Sequence, residues 1–258
     1  MCLTQPRLTR VSLALSALAL TLPALTLPAL TLPALTLSPL SASVARAETP
    51  LAPPPASAAP TWVFVGDSLT AGYGLAPDEG YVAQLEGLLR GRGLGVQLKN
   101  AGVSGDTSAG VRRRLGWLLR GRPDALFLCI GSNDGMRGQP IEAMKENIRA
   151  TVREAQAQGV RVYLLGARLP PNYGADYERE FNAAFPALAQ ELKVPFMPFL
   201  LDGVAGEVSL NLGDGIHPNA EGHRLLAEGV LRFLEESGAL SDLPRLAPPS
   251  GQPPSEGK

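Results

Sequence analysis

The chain reads as an α/β protein, a three-layer α/β/α sandwich built on a five-stranded parallel sheet. Short apolar runs alternate with longer amphipathic ones over residues 61–240, the pattern of strands covered by helices. The run over 125–130 is apolar at every position, as a strand buried on both faces must be. Polar, glycine-bearing segments follow several of these runs, and open parallel sheets bind ligands in the loops beyond the carboxyl ends of their strands.

The elements follow in order. Trp62, Val63, Phe64 and Val65 form a first strand that stops at Gly66-Asp67, and Tyr81, Val82, Leu85, Leu88 and Leu89 then recur at helical spacing over 79–90. Val96 and Leu98 alternate with polar partners in a second strand ahead of Asn100. After a Gly/Ser loop, Val111, Leu115, Leu118 and Leu119 mark the second helix. The central strand over 125–130 ends at Gly131 and precedes a helix over 140–157. A fourth strand over 160–165, a helix over 177–191 and a short fifth strand over 194–197 come next; Pro195 suits an edge position because it lacks a ladder donor. Pro218 and Asn219 open a last helix carrying Leu225, Leu226, Val230 and Leu234. Right-handed crossovers complete the expected topology.

The ends differ from this middle. Residues 1–47 hold Arg7, Arg10 and Arg46 but no acidic residue, and run apolar through a repeated Leu-Pro-Ala-Leu-Thr unit to Ala45-Arg46-Ala47. A basic start, an apolar stretch and a small-residue end fit an export signal cleaved near Ala47, before Glu48, which implies a periplasmic or extracellular protein; a retained membrane anchor is the alternative. Residues 48–60 are rich in Pro and Ala and read as an extended linker, and 241–258 as a disordered, Pro-rich tail. One folded domain is therefore expected over 61–240.

Composition narrows the function. Without 1–47 the chain has 20 basic and 24 acidic residues, a balance with no general attraction for nucleic acid or an anionic membrane. Only two cysteines, Cys2 and Cys129, and two histidines, His217 and His223, are present. That count excludes a Cys/His zinc cluster, a CxxC pair and a disulfide scaffold, and leaves imidazole chemistry to two residues.

Four loops carry the chemical signal: Gly66-Asp67-Ser68-Leu69, the segment over 102–107, Gly131-Ser132-Asn133-Asp134, and the segment over 214–218. Ser68 closely follows a strand, where a turn or cap role is also open to it. A serine alcohol becomes a nucleophile when a base lies within hydrogen-bond reach, and His217 is a candidate base. Asp214, three residues earlier, can hold one ring nitrogen protonated and leave the other for Ser68. Gly105 can present its N–H and Asn133 its side-chain amide to an oxyanion, together with the Ser68 N–H. Each of these residues also has a plain reading as a turn former.

Taken in order and position, these blocks resemble those of the SGNH or GDSL hydrolase superfamily, nearest to the bacterial periplasmic group of acyl-CoA thioesterases, lysophospholipases and arylesterases. The resemblance rests on GDSLTAGYGL, NAGVSGDTSAG, GSNDGMRG, RLPPNYGADY and DGIHPNAEGH and covers about 61–238. It implies Ser68 as nucleophile, Asp214 and His217 as orienting acid and base, and Gly105 and Asn133 as oxyanion donors. It also implies hydrolysis of ester and thioester substrates, lipid esters among them, with no cofactor and no metal. No stable protein partner is implied, and a monomer is expected. Tyr73, Leu75, Met136, Leu169, Pro170 and Tyr173 are the expected acyl-groove residues.

Other residues receive local roles. Asp67 is expected to brace the Ser68 turn, Asp106 and Asp134 to support the site or cap, and His223 to be structural or solvent-facing. Cys129 reads as a buried small hydrophobe, and Arg112, Arg113 and Arg114 as a solvent face. A carbohydrate O-acetylesterase would use the same machinery, and a non-catalytic lipid- or glycan-binding module would use the same fold.

Overall fold

The computed structural model describes residues 59–246. The expected leader over 1–47, the linker up to residue 58 and the tail beyond 246 lie outside the described residues. Five strands, β1 (Thr61–Gly66), β2 (Gln97–Gly102), β3 (Ala125–Cys129), β4 (Arg161–Leu165) and β5 (Phe196–Met197), pair in parallel in the order β2-β1-β3-β4-β5. Pro195 lies beside the edge strand β5, and its carbonyl accepts from the Leu164 N–H at 2.9 Å.

Alternation along the strands sorts the core into two layers. Trp62 and Phe64 of β1 face one way with Phe127 of β3, while Val63 and Val65 face the other with Leu126 and Leu128. The aromatic layer stacks through Phe127, whose ring centroid lies 4.5 Å from Phe64 and 4.6 Å from Tyr163. Helices α1 (Ser68–Ala71), α2 (Tyr81–Gly91), α3 (Ser108–Leu119), α4 (Ser132–Met136), α5 (Ile141–Ala157) and α6 (Ala175–Leu192) lie between the strands, and α7 (Ala220–Glu236) follows β5. Apolar residues of α2 and α7 close the aromatic layer, and those of α3, α5 and α6 close the aliphatic one. This is the α/β/α sandwich that the sequence predicts.

Two details depart from expectation. The chain stays packed beyond residue 240: Leu243 is buried in the aromatic layer, the Gly95 N–H donates to the Pro244 carbonyl at 2.8 Å, and the Leu246 N–H donates to Gly93 at 2.8 Å. Composition weighs the prolines of this segment, whereas a single well-placed apolar side chain, Leu243, gives it something to bury. The short helices α1 and α4 also escape periodicity, since four and five residues span too few turns to show it.

The strand order reverses at β1. The chain moves from β1 outward to β2 and then returns past β1 to β3, so the loops after β1 and β3 diverge at a crevice. Ser68 follows β1, and Asn133 follows β3.

Candidate active site

Ser68 opens α1, and Asp67 caps it: the Asp67 carboxylate accepts the Leu69 N–H at 3.0 Å. Close approach of α1 to the sheet depends on Gly102, where an added Cβ would stand 2.2 Å from the Ala71 nitrogen. Asp67 is buried, and that burial pushes its carboxyl up to about 6 against the lowering effects of the Leu69 N–H and His217. The expected bracing role of Asp67 is thus seen in its bonds.

His217 lies in a closed loop before α7, not within the helix. The Leu212 N–H donates to the His217 carbonyl at 2.7 Å, and Asn211 bridges Pro218. Asp214 works at both its oxygens. Oδ1 accepts the N–H groups of Ile216 (2.9 Å) and His217 (3.0 Å), which leaves Oδ2 for the ring Nδ1 at 2.7 Å. The backbone N–H and then the ring of His217, followed by the Ile216 N–H, hold the Asp214 carboxyl down at about 2. The other ring nitrogen, Nε2, lies 2.9 Å from Ser68 Oγ. With Nδ1 protonated toward Asp214, Nε2 is the acceptor of the Ser68 hydroxyl. Tyr73 packs its ring on the imidazole, centroids 4.5 Å apart.

Gly105 and Asn133 line the same groove as Ser68 and His217. Gly105 has φ of 78°, a left-handed conformation that favours glycine, and its N–H finds no acceptor among the described residues. Asn133 donates one amide hydrogen to Asp67 Oδ2 at 3.3 Å, which leaves its second available.

The groove has a volume of about 820 Å³. Of the residues expected to hold an acyl chain, Tyr73, Met136, Leu169, Pro170 and Tyr173 line this groove and Leu75 does not. Leu75 instead lies in the turn after α1, its N–H donating to Gly72 at 3.1 Å, so proximity in sequence to Tyr73 does not carry it to the groove. Sequence reasoning missed Phe199, Leu201 and Ile216 on the wall. The segment after β5 holds the signal for the first two, since it too begins at the carboxyl end of a strand. Arg168 also lines the groove, with its guanidinium 5.0 Å from the Phe199 ring centroid.

The remaining residues separate cleanly. His223 is buried in α7, where its Nδ1 accepts the Tyr81 N–H at 3.0 Å, and burial lowers its pKa to about 4. Cys129 is buried, and burial raises its thiol pKa well above the ordinary value. The arginine run does not share one solvent face. Arg113 is exposed and Arg112 pairs with Glu154, but Arg114 turns inward to Asp106 at 2.8 Å and to the Ala101 carbonyl at 2.8 Å. A backbone carbonyl and a carboxylate offer Arg114 partners that composition does not reveal.

A family model described as GDSL-like Lipase/Acylhydrolase family matches residues 64–225, a span that holds the whole hydrogen-bonded chain from Ser68 to Asp214. The chain belongs to the GDSL-like lipase/acylhydrolase family. Among relatives, "Esterase TesA" of Pseudomonas aeruginosa is 40% identical over 175 residues, covering 67% of this chain and 87% of its own. "Thioesterase 1/protease 1/lysophospholipase L1" of Escherichia coli K12 is 33% identical over 181 residues, covering 70% and 86%. The crystal structure of the psychrotrophic esterase EstA from Pseudoalteromonas sp., inhibited by monoethylphosphonate, superposes with a TM-score of 0.67 at 32% identity, covering 69% of this chain and 98% of that one. EstA thus shares this chain's architecture over nearly its whole length.

Proposed function

We propose that this GDSL-family hydrolase is a serine esterase that cleaves acyl and aryl esters and acyl thioesters through an acyl-enzyme. The observation that carries the reading is the unbroken relay Asp214–His217–Ser68 at a groove walled by apolar side chains. Ser68 Oγ attacks the substrate carbonyl carbon while its proton passes to His217 Nε2. The N–H groups of Ser68 and Gly105 and the Asn133 amide receive the oxyanion, each such donor contributing about 3 kcal/mol in the transition state. Collapse breaks the bond to the leaving oxygen or sulfur, which takes the proton from Nε2. Water then gives a proton to Nε2 as it attacks the acyl-serine, and the second collapse returns that proton to Ser68 and frees the carboxylic acid.

Tyr73, Met136, Leu169, Pro170 and Tyr173 hold the acyl chain, with Phe199, Leu201 and Ile216 completing the wall. An apolar groove of this volume favours an acyl chain over a lone acetyl group, since each buried methylene adds about 0.8 kcal/mol. The names of the relatives, esterase and thioesterase, support the ester and thioester classes. The mature enzyme acts outside the cytoplasm after removal of residues 1–47, a point that N-terminal sequencing of exported protein tests directly.

A panel of p-nitrophenyl esters and acyl-CoA thioesters of graded chain length, from acetyl to long-chain acyl, run beside Ser68→Ala, tests the mechanism and substrate class together. Turnover rising with chain length and vanishing in Ser68→Ala is expected. Turnover confined to acetyl esters would favour a carbohydrate O-acetylesterase, and failure of a phosphonate to label Ser68 would favour a binding module.

A further inference from the structure

Asp134 and Ser108 take no part in the steps above, yet they join the elements that carry the two outlying oxyanion donors. Asn133 and Asp134 are neighbours in α4, while Gly105 lies in the loop leading into α3, whose first residue is Ser108. Asp134 is 5% exposed and Ser108 1%. Asp134 Oδ2 accepts the Ser108 N–H at 2.8 Å, and Oδ1 accepts the Ser108 hydroxyl at 2.6 Å.

The bonding pattern fixes this link. The Ser108 N–H belongs to the first turn of α3 and has no carbonyl of its own helix to meet, so the carboxylate supplies the acceptor. Ser108 Oγ accepts from Asn147 of α5 at 3.1 Å, which commits its own proton to Asp134. On the outer side Arg137, which ends α4, donates to the Gly105 carbonyl at 3.0 Å. The donor-bearing segments are therefore joined both in the interior and at the surface. Arg114 extends the same network to β1: it pairs with Asp106 and donates to the Gly66 carbonyl at 3.3 Å, two residues before Ser68.

We infer that Asp134 and Ser108 are positioning residues that set the separation between the Gly105 N–H and the Asn133 amide; the inference rests on the oxyanion roles proposed above. A donor displaced by about 1 Å forfeits much of its hold on the developing charge, at a cost of up to about a hundredfold in rate. Acyl-chain binding relies mainly on walls outside α4, with Met136 its one contact from that helix, and is largely spared. Loss of the link therefore falls on kcat and leaves KM in place.

Ser108→Ala, Asn133→Ala and the double variant, assayed with p-nitrophenyl butyrate and with a trifluoromethyl ketone inhibitor, test this. Ser108→Ala is expected to lower kcat about ten- to a hundredfold with KM within about twofold, and to weaken the ketone in parallel. In the Asn133→Ala background the same change should cost less than about threefold, because one of the donors it places is already absent. Asp134→Asn, which loses the charge but keeps the shape, provides the same readouts should Ser108→Ala fail to fold. An undiminished loss in the Asn133→Ala background overturns the inference, as does wild-type kcat and ketone affinity in Ser108→Ala beside a crippled Asn133→Ala. Wild-type kcat in Asn133→Ala would instead overturn the oxyanion reading, and the inference with it.

Discussion

His217 and His223 are separated by six residues, yet they sit in unlike surroundings. His217 occupies the loop ahead of α7, with Asp214 on one ring nitrogen and Ser68 on the other. His223 occupies the first turns of α7 itself, stacked on Tyr81 and accepting that residue's N–H. A backbone donor turned toward an imidazole nitrogen stabilises the neutral ring, and burial penalises the charged one. The loop histidine meets a carboxylate and an alcohol, the partners needed to gain and return a proton. Chemistry and architecture thus divide at the start of one helix, where Asn219 caps α7 by accepting the Gly222 N–H at 3.0 Å.

The largest expected break in the comparison comes from His217→Ala. It should lower kcat/KM at least about 10⁴-fold, as removal of a relay member does elsewhere, while the melting temperature moves little. Asp214→Asn should cost about 10²- to 10⁴-fold, since the ring loses the carboxylate that sets its tautomer. His223→Ala should behave in the opposite manner: a stability loss of about 3 kcal/mol in urea denaturation, from an unpaired Tyr81 N–H and a new cavity, with turnover of the folded enzyme within about threefold. Loss of turnover in His223→Ala equal to that in His217→Ala would erase the division.

A finer test uses pH. His223 titrates at about 4 in the folded chain and near 6.5 when unfolded, so the unfolded chain binds the extra proton between these values. Stability from this group is complete above 6.5 and is lost as pH falls toward 4, by about 3 kcal/mol in all. Asp67 acts in the opposite sense. Its folded carboxyl titrates at about 6 against 3.8 unfolded, so the folded chain holds the extra proton and gains stability as pH falls through the same window. The two slopes offset in the wild-type protein. Asp67→Asn should expose the His223 slope, making urea stability at about pH 4.5 fall further below its value near pH 7 than in the wild type. An unchanged difference between the two pH values would show that the two groups do not oppose each other.

Features repeated along the chain are legible in the sequence. The apolar runs of β1 and β3 need no tertiary information, because burial on both faces demands an apolar residue at every position. Ser68, Asp214, His217, Gly105 and Asn133 are legible as an ordered set of loops, each near a strand end or a helix start. The partners of Asp134 and Arg114 are not. A carboxylate that meets a helix N-terminus 26 residues away looks, in sequence, like any acidic residue in a turn. Leu75 fails for a related reason: a loop residue two positions from the groove can face elsewhere, and no periodicity governs its direction.

The 2.9 Å contact between Ser68 and His217 closes a sequence separation of 149 residues. At a synthesis rate of about 5–20 residues per second, roughly 7–30 s pass between the making of the alcohol and the making of its base. On the roles proposed above, Ser68 is without its base throughout that interval. On the proposed relay, hydrolysis therefore requires a chain complete at least through His217, and any shorter nascent chain lacks it.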